Sequence, residues 1–160
     1  MNQTNRHLKG LDLDLLAYQN NLKIKTKDNQ RYLLDPVRKA YYKLLPEELV
    51  RQCWIQFLML KLNISLGAIS VEKQIDLGKD AKRSDMVVYQ KGMPFMLFEF
   101  KSFKVKISER TCRQVAVYNM KLKVPYIIIS NGIKHYAYHI DFENKQVDPL
   151  DTLPDLATNH

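Results

Sequence analysis

The stretch Arg83-Ser84-Asp85-Met86-Val87-Val88-Tyr89, with Gly92-Met93-Pro94 and Phe95-Met96-Leu97-Phe98-Glu99-Phe100-Lys101 after it, decides the fold. Two apolar runs of strand length flank Gly92 and Pro94, which mark a turn, so the segment reads as a β-hairpin. Side chains alternate between the two faces of a strand, so Glu99 and Lys101 share one face and Phe100 points the other way. Asp85 stands at the head of the opposing strand. Two carboxylates and an ammonium thus converge on a hairpin that is otherwise hydrophobic. Buried charge is costly unless it is paired or ligates a metal, so the convergence marks a candidate site.

The residue types suggest which chemistry. Hydrolysing a phosphodiester needs a cation that neutralises phosphoryl oxygens and binds water, and hard divalent cations such as magnesium prefer carboxylate oxygens, carbonyls and water. Asp85 and Glu99 supply carboxylates, and the Phe100 carbonyl is a further candidate ligand. Lys101, on the face of Glu99, is placed to hold or deprotonate an attacking water and to offset charge in the transition state. Glu-x-Lys by itself is a weak signal, because such pairs are common on solvated strands; the weight lies in its conjunction with Asp85 and the flanking elements.

Upstream, Pro46 followed by Glu47 and Glu48 marks a helix start, and Val50, Cys53, Trp54, Phe57 and Leu60 recur at helical spacing. On a helical wheel Glu47 falls at the margin of this apolar stripe and Glu48 nearly opposite. Both glutamates also simply complement the helix dipole. Downstream, Ser108 caps a second helix to about Leu122, with Cys112, Val115, Tyr118 and Leu122 on its buried side and Gln114 flanking them. Tyr126 to Ser130 and His135 to Ile140 read as closing strands joined at Asn131-Gly132.

From about Leu34 to about Ile140, the order Pro-Glu-Glu, Asp, Glu-x-Lys, Gln-xxx-Tyr-Asn and Ser-Asn-Gly resembles the PD-(D/E)xK nuclease superfamily. It is similar in particular to the nuclease domain at the start of type I restriction enzyme R subunits. The resemblance implies a restriction-endonuclease-like α/β fold, a mixed central sheet flanked by helices. It implies magnesium-dependent, or manganese-dependent, hydrolysis of DNA by a restriction-type endonuclease. Asp85 and Glu99 would hold the metal and Lys101 would position or activate water. Glu47 would assist from the first helix and Gln114 would orient the site. Two other readings stand beside it: a non-catalytic DNA-binding or assembly module of the same fold, and a structure-selective repair nuclease. DNA is the expected partner. A second protein supplying specificity or ATP-driven movement, and a homodimer bringing two sites together, are open.

The remaining sequence fits one domain of 160 residues with a net charge of +8, a balance suited to a phosphate-rich partner. Leu22-Lys23-Ile24-Lys25-Thr26 and Arg31-Tyr32-Leu33-Leu34 flank Lys27-Asp28-Asn29-Gln30 as a hairpin outside the catalytic sheet. Arg38-Lys39-Ala40-Tyr41-Tyr42-Lys43 is a basic, aromatic stretch that either touches a nucleic-acid backbone or is a solvated surface with tyrosines packing down. Ala68 to Ile75 reads as a strand, with Glu72 either an extra ligand or a solvent-facing charge. Leu77 to Arg83 is a basic loop leading to Asp85, a first candidate for phosphate contact, and Lys104 and Lys106 could line the cleft. The end from Pro149 reads as a loose tail. Cys53 and Cys112 read as reduced core residues, and the start of the chain has neither a secretion signal nor a spanning segment, which gives a cytoplasmic expectation. With five glycines and no Gly-xxxx-Gly-Lys-Ser/Thr loop, the chain has no ATP-binding motif, and its four histidines are too scattered for a triad.

Overall fold

Strand β7 (Met86–Gln90) and strand β8 (Met93–Phe100) form the expected hairpin. Lys91 and Gly92 at its turn both have positive φ, 51° and 74°, the geometry that matches the twist of paired strands. The computed structural model describes residues 10–72, 74–75 and 82–156. The basic loop from Leu77 lies outside them, apart from the backbone of Lys82 and Arg83.

Before the hairpin come β1 (Ile24–Lys27), β2 (Gln30–Asp35), β3 (Ala40–Lys43), helix α1 (Pro46–Leu60), β4 (Ile69–Val71), β5 (Gln74–Ile75) and β6 (Lys82–Arg83). After it come α2 (Glu109–Asn119), β9 (Tyr126–Ser130), β10 (His135–Asp141) and β11 (Gln146–Leu150). The main sheet runs β11-β10-β9-β8-β7-β4. Its pairings are antiparallel except that of β8 with β9, which is parallel and has α2 as its connection. This is the mixed sheet flanked by helices that the sequence suggested.

Both faces of the sheet are covered, which explains why β8 and β9 read as unbroken apolar runs. On one face Phe98, Phe100, Met96 and Ile128 pack with Trp54, Val50 and Leu58 of α1. On the other, Leu97, Ile127, Ile129, Tyr138 and Ile140 pack with Cys112 and Ala116 of α2. Trp54 centres the first layer, its ring 5.1 Å from Phe98, 5.5 Å from Phe57 and 5.5 Å from His135. Cys53 and Cys112 are buried free thiols, and burial pushes their pKa values up to about 11 and about 12.

Several expectations need correction. The N-terminal hairpin, turned at Asp28 and Asn29, gains β3 as a third strand and forms a separate sheet. The strand expected from Ala68 to Ile75 breaks at Glu72, whose φ of 53° no regular strand tolerates. Leu60 is 54 % exposed because it lies on the last turn of α1, beyond the sheet it was expected to cover. On α2 the buried set is Cys112, Ala116 and Asn119, so the stripe is rotated and Tyr118 is exposed. The chain at Pro149 is not yet a tail: Pro149 and Leu150 belong to β11, an edge strand where a missing N–H is tolerated. Leu153 and Leu156 then pack on the α1 side of the core.

Because Trp54 is fully buried between α1 and β8, Trp54→Ala is expected to lower stability by about 3–5 kcal/mol. Urea denaturation of the two proteins checks this.

Candidate active site

The end of the β7–β8 hairpin brings the predicted residues together. Met86 pairs with Phe98, and continuing that pairing by one residue sets Asp85 across from Glu99. The Asp85 carboxylate accepts a hydrogen bond from the Phe100 N–H at 2.7 Å, so one of its oxygens is fixed by β8 itself. Glu99 and Lys101, by alternation with Phe98 and Phe100, share the α2 face of the sheet, and both are half-buried. The Lys101 N–H donates to the Ser130 carbonyl at 2.8 Å, which ties β8 beyond its last strand residue to the end of β9.

Glu47 and Gln114 behave otherwise. Both are exposed, and neither bonds to Asp85 or Lys101 among the described residues. The wheel reading of α1 is reversed. Glu48, expected to point away, has a side chain only 11 % exposed and accepts from Arg38 at 2.5 Å, Arg51 at 2.6 Å and Gln52 at 3.0 Å. Gln114 lies on the outer surface of α2 beside Arg110 and Arg113.

Glu48 belongs to an ionic cluster that the sequence reading did not assemble. Arg38 also bonds Asp35 at 2.6 Å, and Glu72 approaches Arg38 at 3.6 Å and Arg51 at 3.5 Å. Asp35 is fully buried and accepts from the N–H groups of Val37 and Arg38, closing the turn between β2 and β3. The Arg38 guanidinium lies 3.3 Å from the centre of the Tyr42 ring. Burial disfavours its charge, but the Asp35 bond and the fields of Glu48 and Asp35 outweigh this and raise its pKa above the ordinary value. The Glu72 N–H donates to the Asp85 carbonyl at 3.1 Å, so the cluster reaches the head of β7. Glu72 is thus neither a plain solvent-facing charge nor an isolated ligand. The sequence signals were Asp35-Pro36, a turn opener, and Glu48 three and four residues before Arg51 and Gln52.

The turn after β9 is built as tightly. Asn131 Oδ1 accepts from the N–H groups of Ile133 and Lys134, and its amide donates to the Val105 carbonyl at 2.8 Å, tying down the segment that follows Lys101. Gly132 has a φ of 89°, and a Cβ there would stand 3.0 Å from a Val50 methyl. Ser130 Oγ accepts from the Gly132 N–H at 3.0 Å and shares a hydrogen bond with His135 Nδ1 at 2.7 Å. His135 is buried, and burial pushes its pKa down to about 4.

Fold and site together define a mixed α/β domain with an acidic hairpin end backed by a lysine and a buried ionic cluster. The family described as the type I restriction enzyme R protein N terminus matches residues 46–154, most of the chain, and the protein belongs to that family. Comparison with curated proteins gives no match. No helix among the described residues is long and apolar enough to cross a membrane.

Two outcomes follow. Glu48→Ala leaves Arg38 and Arg51 without their shared carboxylate and is expected to cost about 3–5 kcal/mol, whereas Glu47→Ala should stay within about 0.5 kcal/mol; chemical denaturation separates them. For His135 the folded pKa, about 4, lies below the unfolded 6.5, so the unfolded chain binds the extra proton in that window. Stability is therefore full above pH 6.5 and falls as pH drops, by up to about 1.4 kcal/mol per unit. His135→Gln should flatten the pH dependence of the unfolding free energy from urea denaturation, between about pH 4 and 6.5, by up to that amount.

Proposed function

We propose that this protein is a restriction-type, metal-dependent DNA endonuclease of the PD-(D/E)xK kind, hydrolysing phosphodiester bonds at the Asp85–Glu99–Lys101 end of the hairpin. The observation that carries the reading is the β7–β8 register, which sets Asp85 across from Glu99 in a chain that belongs to a restriction R-protein family.

The donor set fits a hard divalent cation. Among the described residues no three His, Cys, Asp or Glu side chains gather as a metal-holding group, but magnesium is commonly held by one or two carboxylates, with water and phosphate oxygens filling its octahedron. Asp85 and Glu99 would hold magnesium or manganese, which when bound neutralises the phosphoryl oxygens and makes bound water more acidic. Asp85, anchored by the Phe100 N–H, keeps its carboxylate at the hairpin end without side-chain reorientation. Lys101, fixed through its backbone to Ser130, holds the attacking water and offsets the charge that grows on the phosphate. Of the two helix acids, Glu48 has a route to this end, through Arg51 and Glu72 to the Asp85 backbone. Its role is to set Asp85 in place, and Glu47 is left as a first-turn charge that complements the helix dipole. Gln114 orients the scissile strand from the surface of α2.

Lys101→Ala should leave thermal melting unchanged and reduce cleavage by at least about 10²-fold. The assay incubates both proteins with supercoiled, linear and single-stranded DNA in magnesium, manganese or chelator. Cutting by the variant at the wild-type rate would remove Lys101 from the mechanism. No cutting by either protein, with DNA binding intact, would favour the binding or assembly module.

A further inference from the structure

We infer that the outward face of the β1–β3 sheet is a platform for single-stranded DNA, its lysines taking phosphates and its tyrosines taking bases. The strand registers fix which residues share that face. Lys25 pairs with Tyr32, which pairs with Lys43; Lys27 pairs with Gln30, and Leu34 with Tyr41. Residues directly opposite in an antiparallel pair point the same way, so Lys25, Lys27, Lys43, Tyr32 and Tyr41 lie on one surface. Among the described residues of these strands, no carboxylate lies on it. The acid of these strands, Asp35, lies on the other face with the buried Leu33, and there it is paired with Arg38.

The surface is open. Every residue of β1 is exposed, and so are Tyr41 and Lys43. Lys25 Nζ stands 3.9 Å from the centre of the Tyr41 ring, so cation and ring already form one unit. Lysines on edge strands also guard against sheet-to-sheet aggregation, and that would account for Lys25, Lys27 and Lys43. It does not account for two tyrosines set among them. Cationic side chains interleaved with aromatic rings are the arrangement that binds single strands, the phosphates neutralised and the bases stacked.

The family match begins at Pro46, so membership assigns this sheet nothing. Yet it is not loosely hung. Arg38, held by Asp35 at its β2–β3 turn, binds Glu48 of α1 and approaches Glu72, whose N–H holds the Asp85 carbonyl. A strand lying on the platform is therefore held in a fixed relation to the hairpin end. The inference takes its ligand from the DNA-directed reading above, but binding can be measured apart from cleavage.

The test is fluorescence anisotropy in chelator, with short labelled single-stranded and duplex oligonucleotides, between about 50 and 200 mM salt. The triple variant Lys25→Ala, Lys27→Ala, Lys43→Ala should raise the single-strand Kd by about ten- to a hundred-fold. Its log Kd against log salt slope should fall by about two units. Tyr41→Ala should weaken single-strand binding about ten-fold and duplex binding far less. Replacing the three lysines by arginine should preserve binding. Unchanged affinity and slope in the triple alanine variant would overturn the platform and leave the nuclease standing. Lysine-dependent binding without any cutting would do the reverse. Equal loss on duplex and single strand, with no effect of Tyr41→Ala, or displacement by polyglutamate at matched charge, would overturn the assignment to single strands.

Discussion

Strand β8 is buried on both faces, and the rest of the structure depends on that constraint. Phe98 and Phe100 must meet Trp54, while Leu97 must meet the α2 layer. A slip of one residue would drive Glu99 and Lys101 into the aromatic layer and turn the phenylalanines towards α2. Few sequences tolerate such an error, so the register is specified strongly, and with it the position of every polar group at the hairpin end. The acidic end exists where the apolar alternation on the α2 face stops.

The second organising feature is electrostatic. Glu48, Arg38, Arg51, Asp35 and Glu72 join four segments of chain: the β2–β3 turn, the first turns of α1, the end of β4 and, through the Glu72 N–H, the head of β7. A buried cluster of this kind contributes little net stability over a well-packed apolar equivalent. What it supplies is geometry, because bidentate and shared hydrogen bonds fix orientation more sharply than methyl groups do.

What could be read from the sequence follows from how each element earns its burial. The hairpin and β9 were legible as apolar runs of strand length and the two helices by a 3.6-residue apolar period, and Ser108 was legible as a cap, its Oγ accepting from the Thr111 N–H at 3.2 Å. Strand β3, Ala40–Lys43, was not, since it buries no side chain deeply and its lysine and tyrosines give no alternation. Strand β11 was hidden by Pro149, acceptable only because the strand is an edge. The wheel's outward placing of Glu48 differs from the structure for another reason. A helical wheel assumes one buried side, and α1 also receives Arg38 from a second sheet that the sequence does not position. The same contrast holds at the candidate site: Asp85, Glu99 and Lys101 lie on one local hairpin, so their nearness could be read from its register, whereas the groups that hold their backbone come from distant turns.

The parallel pairing of β8 with β9 bears on the order of assembly. Asp85 and Glu99 meet through a two-residue turn, a closure that costs little chain entropy and is completed on the microsecond scale of isolated hairpins. Joining β9 to β8 requires α2 to form and cross first, a contact remote along the chain and correspondingly slow. The pairing of the carboxylates is thus a local contact, whereas the Ser130 carbonyl that holds the Lys101 backbone is a remote one. The Ser130–Gly132 corner is the piece of distant chain that completes the constellation.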